Sequence, residues 1–241
     1  MKTKKLLKTV LLAMLVAIGV VISPLLRFEG MCPMAHLINI VCSVLLGPWY
    51  SLLCATLIGI IRMAVMGIPP IALTGAIFGA FLSGVFYRMS KGKLLFAVLG
   101  EIIGTGIIGA IMSYPVMTLL WNKQGLTPLF YVPSFICGTL IGGSIAFVFL
   151  KKLSVTGMLE KMQKSLGADS YSYKGGTLSD TVSIASLGVI LFLVIEILSG
   201  IFKITSPLLS CLSFIILGIF LIWAFIYFII KKHKEREKID S

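Results

Sequence analysis

The chain has 241 residues, 58% of them hydrophobic and 12% charged, with a mean hydropathy of +1.06. So little polar surface excludes a water-soluble globule and places the chain in a bilayer. The formal net charge of +12 lies beside apolar segments, with no basic, aromatic-interleaved patch, and therefore does not indicate a nucleic-acid partner.

Crossing the hydrocarbon takes roughly 20 apolar residues in a helix, because unpaired backbone groups in lipid cost several kcal/mol each. On that ruler eight spans are predicted: Leu6–Ile22, His36–Leu46, Trp49–Met66, Ile71–Phe86, Leu94–Leu120, Tyr131–Leu150, Val182–Ser199 and Pro207–Ile230. The second is short. The first follows lysines but has no small-residue cleavage site before Pro24, and reads as a retained helix.

Lys and Arg in short loops stay on the cytoplasmic side. With the N-terminus inside, the inner face receives Lys2, Lys4, Lys5 and Lys8, then Arg88, Lys91 and Lys93, then Lys151, Lys152, Lys161, Lys164 and Lys174, then Lys231, Lys232, Lys234, Arg236 and Lys238. The other face receives Arg27, Lys123 and Lys203, while Arg62 lies near a helix end. Both termini are expected in the cytoplasm of a multi-pass cell-membrane protein, whose basic inner face suits anionic lipid.

The polar stretch Ser154–Asp180, with Lys161, Lys164, Asp169, Lys174 and Gly175-Gly176, reads as a cytoplasmic linker. The expected organisation is a six-helix membrane domain over 1–153, a linker over 154–181 and a two-helix extension with a basic tail over 182–241. No internal repeat relates the two membrane parts, so an inverted-repeat plan is not supported. Small residues recur four apart at Ala13 and Ala17, Gly75 and Gly79, Gly100 and Gly104, and Gly138 and Gly142. Such pairs let helices approach closely in lipid. On the first helix that face could equally serve a partner subunit.

No metal site is expected, because the two histidines, His36 and His233, are far apart and no ligand cluster accompanies them. Cofactor, nucleotide and nucleophile motifs are likewise missing from the sequence. The cysteines Cys42, Cys54, Cys137 and Cys211 fall within apolar helices and read as small hydrophobes, with Cys32 a packing residue outside them. Ionisable groups inside the membrane point by default to function; these are Glu101, Glu196 and, near an end, Arg62. Glu101, between Gly100 and Gly104, faces a tight interface where either a ligand or a buried hydrogen bond would keep it. Toward the expected outer face lie His36 and Asn39 one turn apart, Arg62, Thr74, Tyr114, Trp121, Asn122 and Tyr131. Aromatic walls with a few hydrogen-bonding groups suit a small, flat, weakly charged metabolite. For Trp121 and Tyr131 an interfacial belt is an equal reading.

The runs GMCPMAHLINIVCSVLLGPWY, LIGIIRM and GIPPIALTGAIFGAFLSGVFYR, within Pro24–Tyr87, resemble ThiW, a substrate-binding (S) component of the energy-coupling-factor (ECF) vitamin transporters. GEIIGTGIIGAIMSYPVMTLLW and YVPSFICGTLIGGSIAFVFLKK continue the likeness to about Lys152. The resemblance implies an all-α integral membrane protein, a six-helix S-component-like bundle with a two-helix hairpin after it. It implies capture of hydroxyethylthiazole, the thiazole precursor of thiamin, and ATP-driven uptake through a T component and two ATPase subunits. Ala13 and Ala17 match the Ala-x-x-x-Ala pattern by which such components dock on the T component, and the S component is expected to topple in the membrane to deliver its ligand. The expected site has an aromatic wall from Tyr114 and Trp121, hydrogen bonds from His36, Asn39 or Glu101, Arg62 and Thr74 nearby, and a lid over Ser23–Pro33. Two rival readings are a solitary ion-coupled permease with Glu101 as relay and a membrane enzyme using Glu101, Glu196 or His36. The likeness ends near Lys152, and the last two helices are left without a role.

Overall fold

The computed structural model describes residues 2–25, 32–172, 175–201 and 207–240, all helical apart from turns and short connections, with no strand among them. Arg27, Lys174, Lys203 and most of the expected Ser23–Pro33 lid lie outside the described residues. Seven of the described helices are long and apolar enough to cross a membrane. The chain divides into two compact units, 1–173 and 174–241.

In the first unit, α1 spans Lys2–Leu25, α2 Pro33–Leu46, α3 Pro48–Met66 and α4 Ile71–Met89. The continuous helix α5 runs Leu94–Leu119, followed by α6 at Val132–Val155 and α7 at Met158–Leu166. Local sequence sets the boundaries. Pro33 and Pro48 occupy first-turn positions where a missing N–H does no harm. Gly47, at φ 94°, turns the chain between α2 and α3, and Gly67, at φ 62°, closes α3 in the left-handed conformation.

At 14 residues, α2 is shorter than the seven helices long enough to cross a membrane, so the second expected span is a short apolar helix. It is also the axis of the unit, touching α1, α3, α4, α5, α6 and α7, with every residue except Leu37 buried. Its polar residues His36, Asn39 and Ser43 recur at three- and four-residue spacing and so share a face. Ser43 Oγ lies 2.8 Å from Ser83 Oγ on α4. The hydroxyls are thus satisfied inside the bundle, as burial requires.

Glycines allow α4 and α5 to meet backbone to backbone. A Cβ at Gly104 would stand 2.5 Å from Gly79 Cα, and one at Gly109 would stand 2.7 Å from the Gly75 carbonyl. Gly109 lies five positions after Gly104, yet both face α4. That spacing follows from the π-helical winding of Ile102–Gly109 in the middle of α5, where bonds run i to i+5.

Part of the expected linker folds back on the first unit. In α7, the fully buried Gln163 donates from Nε2 to the Val44 carbonyl (2.9 Å) and to the Tyr87 hydroxyl (3.1 Å). Leu159 and Leu166 are buried beside it. Arg88 Nε pairs with Asp169 at 3.1 Å, and the Tyr87 and Tyr171 rings meet edge to face at 5.4 Å. Burial, with the Asp169 charge adding to it, pushes the Tyr171 phenol above its ordinary value. Here the nine-residue helix closes the end of the bundle where α2 stops and α3 begins.

The second unit pairs α8, Thr177–Ile201, with α9, Pro207–Asp240. Gly188 lies beneath Phe220, Ser213 donates to Glu196, and Lys231 Nζ is 2.8 Å from Asp180 Oδ2.

Candidate binding pocket

A pocket opens among α2, α3, α4, α5 and α6 at the end of the first unit opposite α7. Cys32, Ala35 and His36 line it from the start of α2, Arg62 from α3, and Ile71, Ala72, Gly75 and Ala76 from α4. Thr105 of α5, Ser134, Phe135 and Gly138 of α6, and Ile68 complete it. Its volume is about 100 Å³, counted as space for the centres of water-sized spheres. A single water needs roughly 10–15 Å³ on that measure, so a multi-atom ligand fits.

Behind the pocket, one carboxylate oxygen ties together two helices, α2 and α5. Glu101 Oε1 lies 2.9 Å from His36 Nδ1 and accepts from Asn39 Nδ2 at 3.0 Å and from Thr105 Oγ1 at 3.1 Å. Glu101 is fully buried, Asn39 and Thr105 nearly so, and His36 is 9% exposed. A carboxylate away from water must be paired and hydrogen-bonded, and this one receives both kinds of support on a single oxygen. Where the carboxylate is ionised it only accepts, and Nδ1 then carries the hydrogen of this bond. Nε2 makes no hydrogen bond among the described residues, which leaves His36 with a ring nitrogen to offer a ligand. Glu101 Oε2 has no hydrogen-bond partner among the described residues and packs against Gly79, where an added Cβ would stand 2.8 Å from it.

The expected site residues separate into three groups. His36 and Arg62 line the pocket, and Asn39 and Glu101 form the network behind it. Thr74, Tyr114 and Trp121 do not line it. Thr74 Oγ1 bonds instead to Ser113 Oγ at 2.8 Å, Tyr114 is half-buried and Trp121 is 51% exposed. The aromatic wall is Phe135, which also packs on the Tyr131 ring, 5.9 Å away between centroids. Burial pushes the Tyr131 phenol above its ordinary value. Sequence reasoning missed Thr105 and Phe135. Thr105 carried a usable signal, lying one turn after Glu101 on an apolar helix. Phe135 carried none, since a Phe facing a pocket and one facing lipid look alike in sequence.

Arg62 is 4% exposed. Its Nη2 donates to Cys32 Sγ at 3.5 Å, and its Nε is buried without a partner among the described residues. Away from the pocket, Ala13 and Ala17 lie on the exposed side of α1 with Leu6, Val10, Met14, Ile18 and Val21. Among the described residues no group of three or more His, Cys, Asp or Glu could hold a metal ion.

A family model described as "Thiamine-precursor transporter protein (ThiW)" matches residues 9–156. The match runs from Thr9 within α1 through α6 and so contains the whole pocket. No curated protein and no solved structure matches the chain.

Proposed function

Because the chain belongs to the ThiW family of thiamine-precursor transporter proteins, we propose that its first unit is the S component of an ECF transporter that captures hydroxyethylthiazole. Membership of a transporter family makes it a multi-pass membrane protein with a small-molecule substrate, and a transporter in place of an enzyme. The observation that carries the finer reading is the pocket over the His36–Asn39–Glu101–Thr105 network. An apolar wall of Ile68, Ile71 and Phe135 stands across from a few polar groups, which suits a flat heteroaromatic ring with one hydrogen-bonding arm. His36 Nε2 and the Thr105 hydroxyl are the groups offered to that ring or arm.

In this reading the substrate enters from outside the cell. Both termini lie in the cytoplasm of the cell membrane, following the distribution of Lys and Arg. Energy comes from two ATPase subunits through a T component, which docks on the exposed face of α1 at Ala13 and Ala17. Small side chains allow close helix packing there, and the neighbouring Val10, Met14 and Ile18 contribute apolar area.

Calorimetric titration of detergent-solubilised protein with hydroxyethylthiazole, thiamin and the pyrimidine precursor tests the substrate. Saturable binding of the thiazole without ATP is expected. Selective binding of the pyrimidine, or of thiamin alone, would sink the assignment. Co-purification with the T component and ATPases tests the assembly. Uptake by the chain alone that collapses with the proton gradient would instead favour an ion-coupled permease.

A further inference from the structure

The pocket has a cationic end. Arg62 is one turn short of the end of α3, yet it makes no hydrogen bond to that helix's terminal carbonyls. Its hydrogen-bond partner among the described residues is the Cys32 thiol, a weak acceptor at 3.5 Å. Nε is buried and has no partner among them. The carboxylates of Glu101, Asp169, Glu160 and Asp180 pair with other bases, His36, Arg88, Lys164 and Lys231 in turn. A guanidinium with one enclosed donor lacking an acceptor and another held only by a thiol is unfavourable unless something else supplies an acceptor.

A second feature converges on the same place. Cys32 is the residue preceding α2 and lines the pocket, so the positive end of that helix dipole lies there, although Pro33 has no N–H and the Ala35 N–H donates to the Cys32 carbonyl. The first turn of α2 holds no acidic residue, and Cys32 makes no side-chain cap. Among the described residues, the nearby carboxylate of Glu101 makes no bond to Arg62. Glu101 Oε1 is occupied by three donors, and Oε2 is turned against Gly79. Arg62, with the N-terminal end of α2 at Cys32 and Ala35, therefore presents a positive end to a cavity whose remaining wall is largely apolar.

Resting on the reading of this pocket as the substrate site, we propose that it takes a thiazole through an oxyanion, a phosphate or a carboxylate, held between the Arg62 guanidinium and the N-terminus of α2. The ring then lies toward Phe135 and Ile71, with His36 beside it. The protein prefers a phosphorylated or carboxylated thiazole to the neutral alcohol.

The test compares hydroxyethylthiazole, its phosphate monoester and the corresponding thiazole acetate by calorimetry on the full chain in detergent. The phosphate monoester is expected to bind at least about tenfold more tightly than the alcohol, the order of advantage a charge-assisted bidentate contact supplies. Arg62→Gln should abolish that preference while retaining some affinity for the alcohol, and Arg62→Lys should keep part of it. Tighter binding of the acetate than of the phosphate identifies a carboxylate as the natural group; the reverse identifies a phosphate. If the alcohol binds as well as both anions in the unmodified protein, or the preference survives Arg62→Gln, the anion site is wrong while thiazole capture stands. If no thiazole binds at all, both readings fail together.

Discussion

Gly79 is the wall against which Glu101 and Thr105 are pressed. A methyl group at this position would overlap Thr105 Oγ1 and stand 2.8 Å from Glu101 Oε2. The position of the network behind the pocket thus depends on a missing side chain on the neighbouring helix.

Gly79→Ala is therefore expected to push Thr105 and Glu101 out of register with His36. Overpacking of this kind costs about 1–3 kcal/mol. A lowered thermal midpoint in detergent, together with weaker thiazole binding, is the expected result. Unchanged values for both would show that α4 and α5 can separate without consequence.

Replacing Glu101 should be more damaging than replacing His36. Glu101→Ala strands the donors of His36, Asn39 and Thr105 at once, at about 1–3 kcal/mol for each group left unsatisfied in the interior. His36→Ala removes one of three bonds to Oε1 and also a group that lines the pocket. A double-mutant cycle over the two positions should give a coupling of about 0.5–3 kcal/mol, as expected for residues in one network. Strict additivity would mean that the 2.9 Å contact does not hold in solution.

The aromatic contribution to binding should come from Phe135. Phe135→Ala is expected to weaken thiazole binding at least about tenfold, since an aromatic pair or stack contributes about 0.5–1.5 kcal/mol beyond its buried area. Tyr114→Ala and Trp121→Ala, both outside the pocket lining, should leave the dissociation constant unchanged. Calorimetry on the three variants decides between these walls.

Gln163→Ala should separate stability from binding. It leaves the Val44 carbonyl and the Tyr87 hydroxyl without this donor, at a cost of about 1–3 kcal/mol. The pocket lies at the other end of α2, so thiazole affinity should be retained while the thermal midpoint falls. A loss of affinity in a folded sample would reveal coupling along α2.

Ala13→Leu and Ala17→Leu alter an exposed face of α1. Folding and ligand binding should be unaffected, while co-purification with the T component and ATP-driven uptake should fall. Normal assembly with both substitutions would remove this face as the docking surface.

The membrane helices were legible because hydrocarbon imposes a length and an apolar composition, and Pro33, Pro48 and Gly67 mark ends by their own backbone limits. The helix α7 was not legible. It has nine residues in a polar stretch, and its buried anchor is Gln163, a residue type that ordinarily signals solvent. His36, Asn39 and Glu101 could be found because polar groups in apolar helices demand partners. Their convergence on one oxygen could not, since it depends on how α2 and α5 are rotated about their axes. The π winding of α5 escaped for a related reason. Ile102–Gly109 contains only Ile, Gly and Thr, and no residue type announces a change of helical pitch.

The shortness of α2 sets the depth at which a ligand would sit. Fourteen residues rise about 21 Å, against a hydrocarbon layer of about 30 Å. At one end α2 and α3 are level, joined through Gly47 alone. At the other, α3 continues from Arg62 to Met66, about 6 Å farther, at 1.5 Å per residue. The floor of the pocket is thus recessed below the rim of the bundle. Bilayer thickness is therefore expected to matter for this protein, since lipid thicker or thinner than its apolar helices changes how far the mouth of the pocket stands from the headgroups.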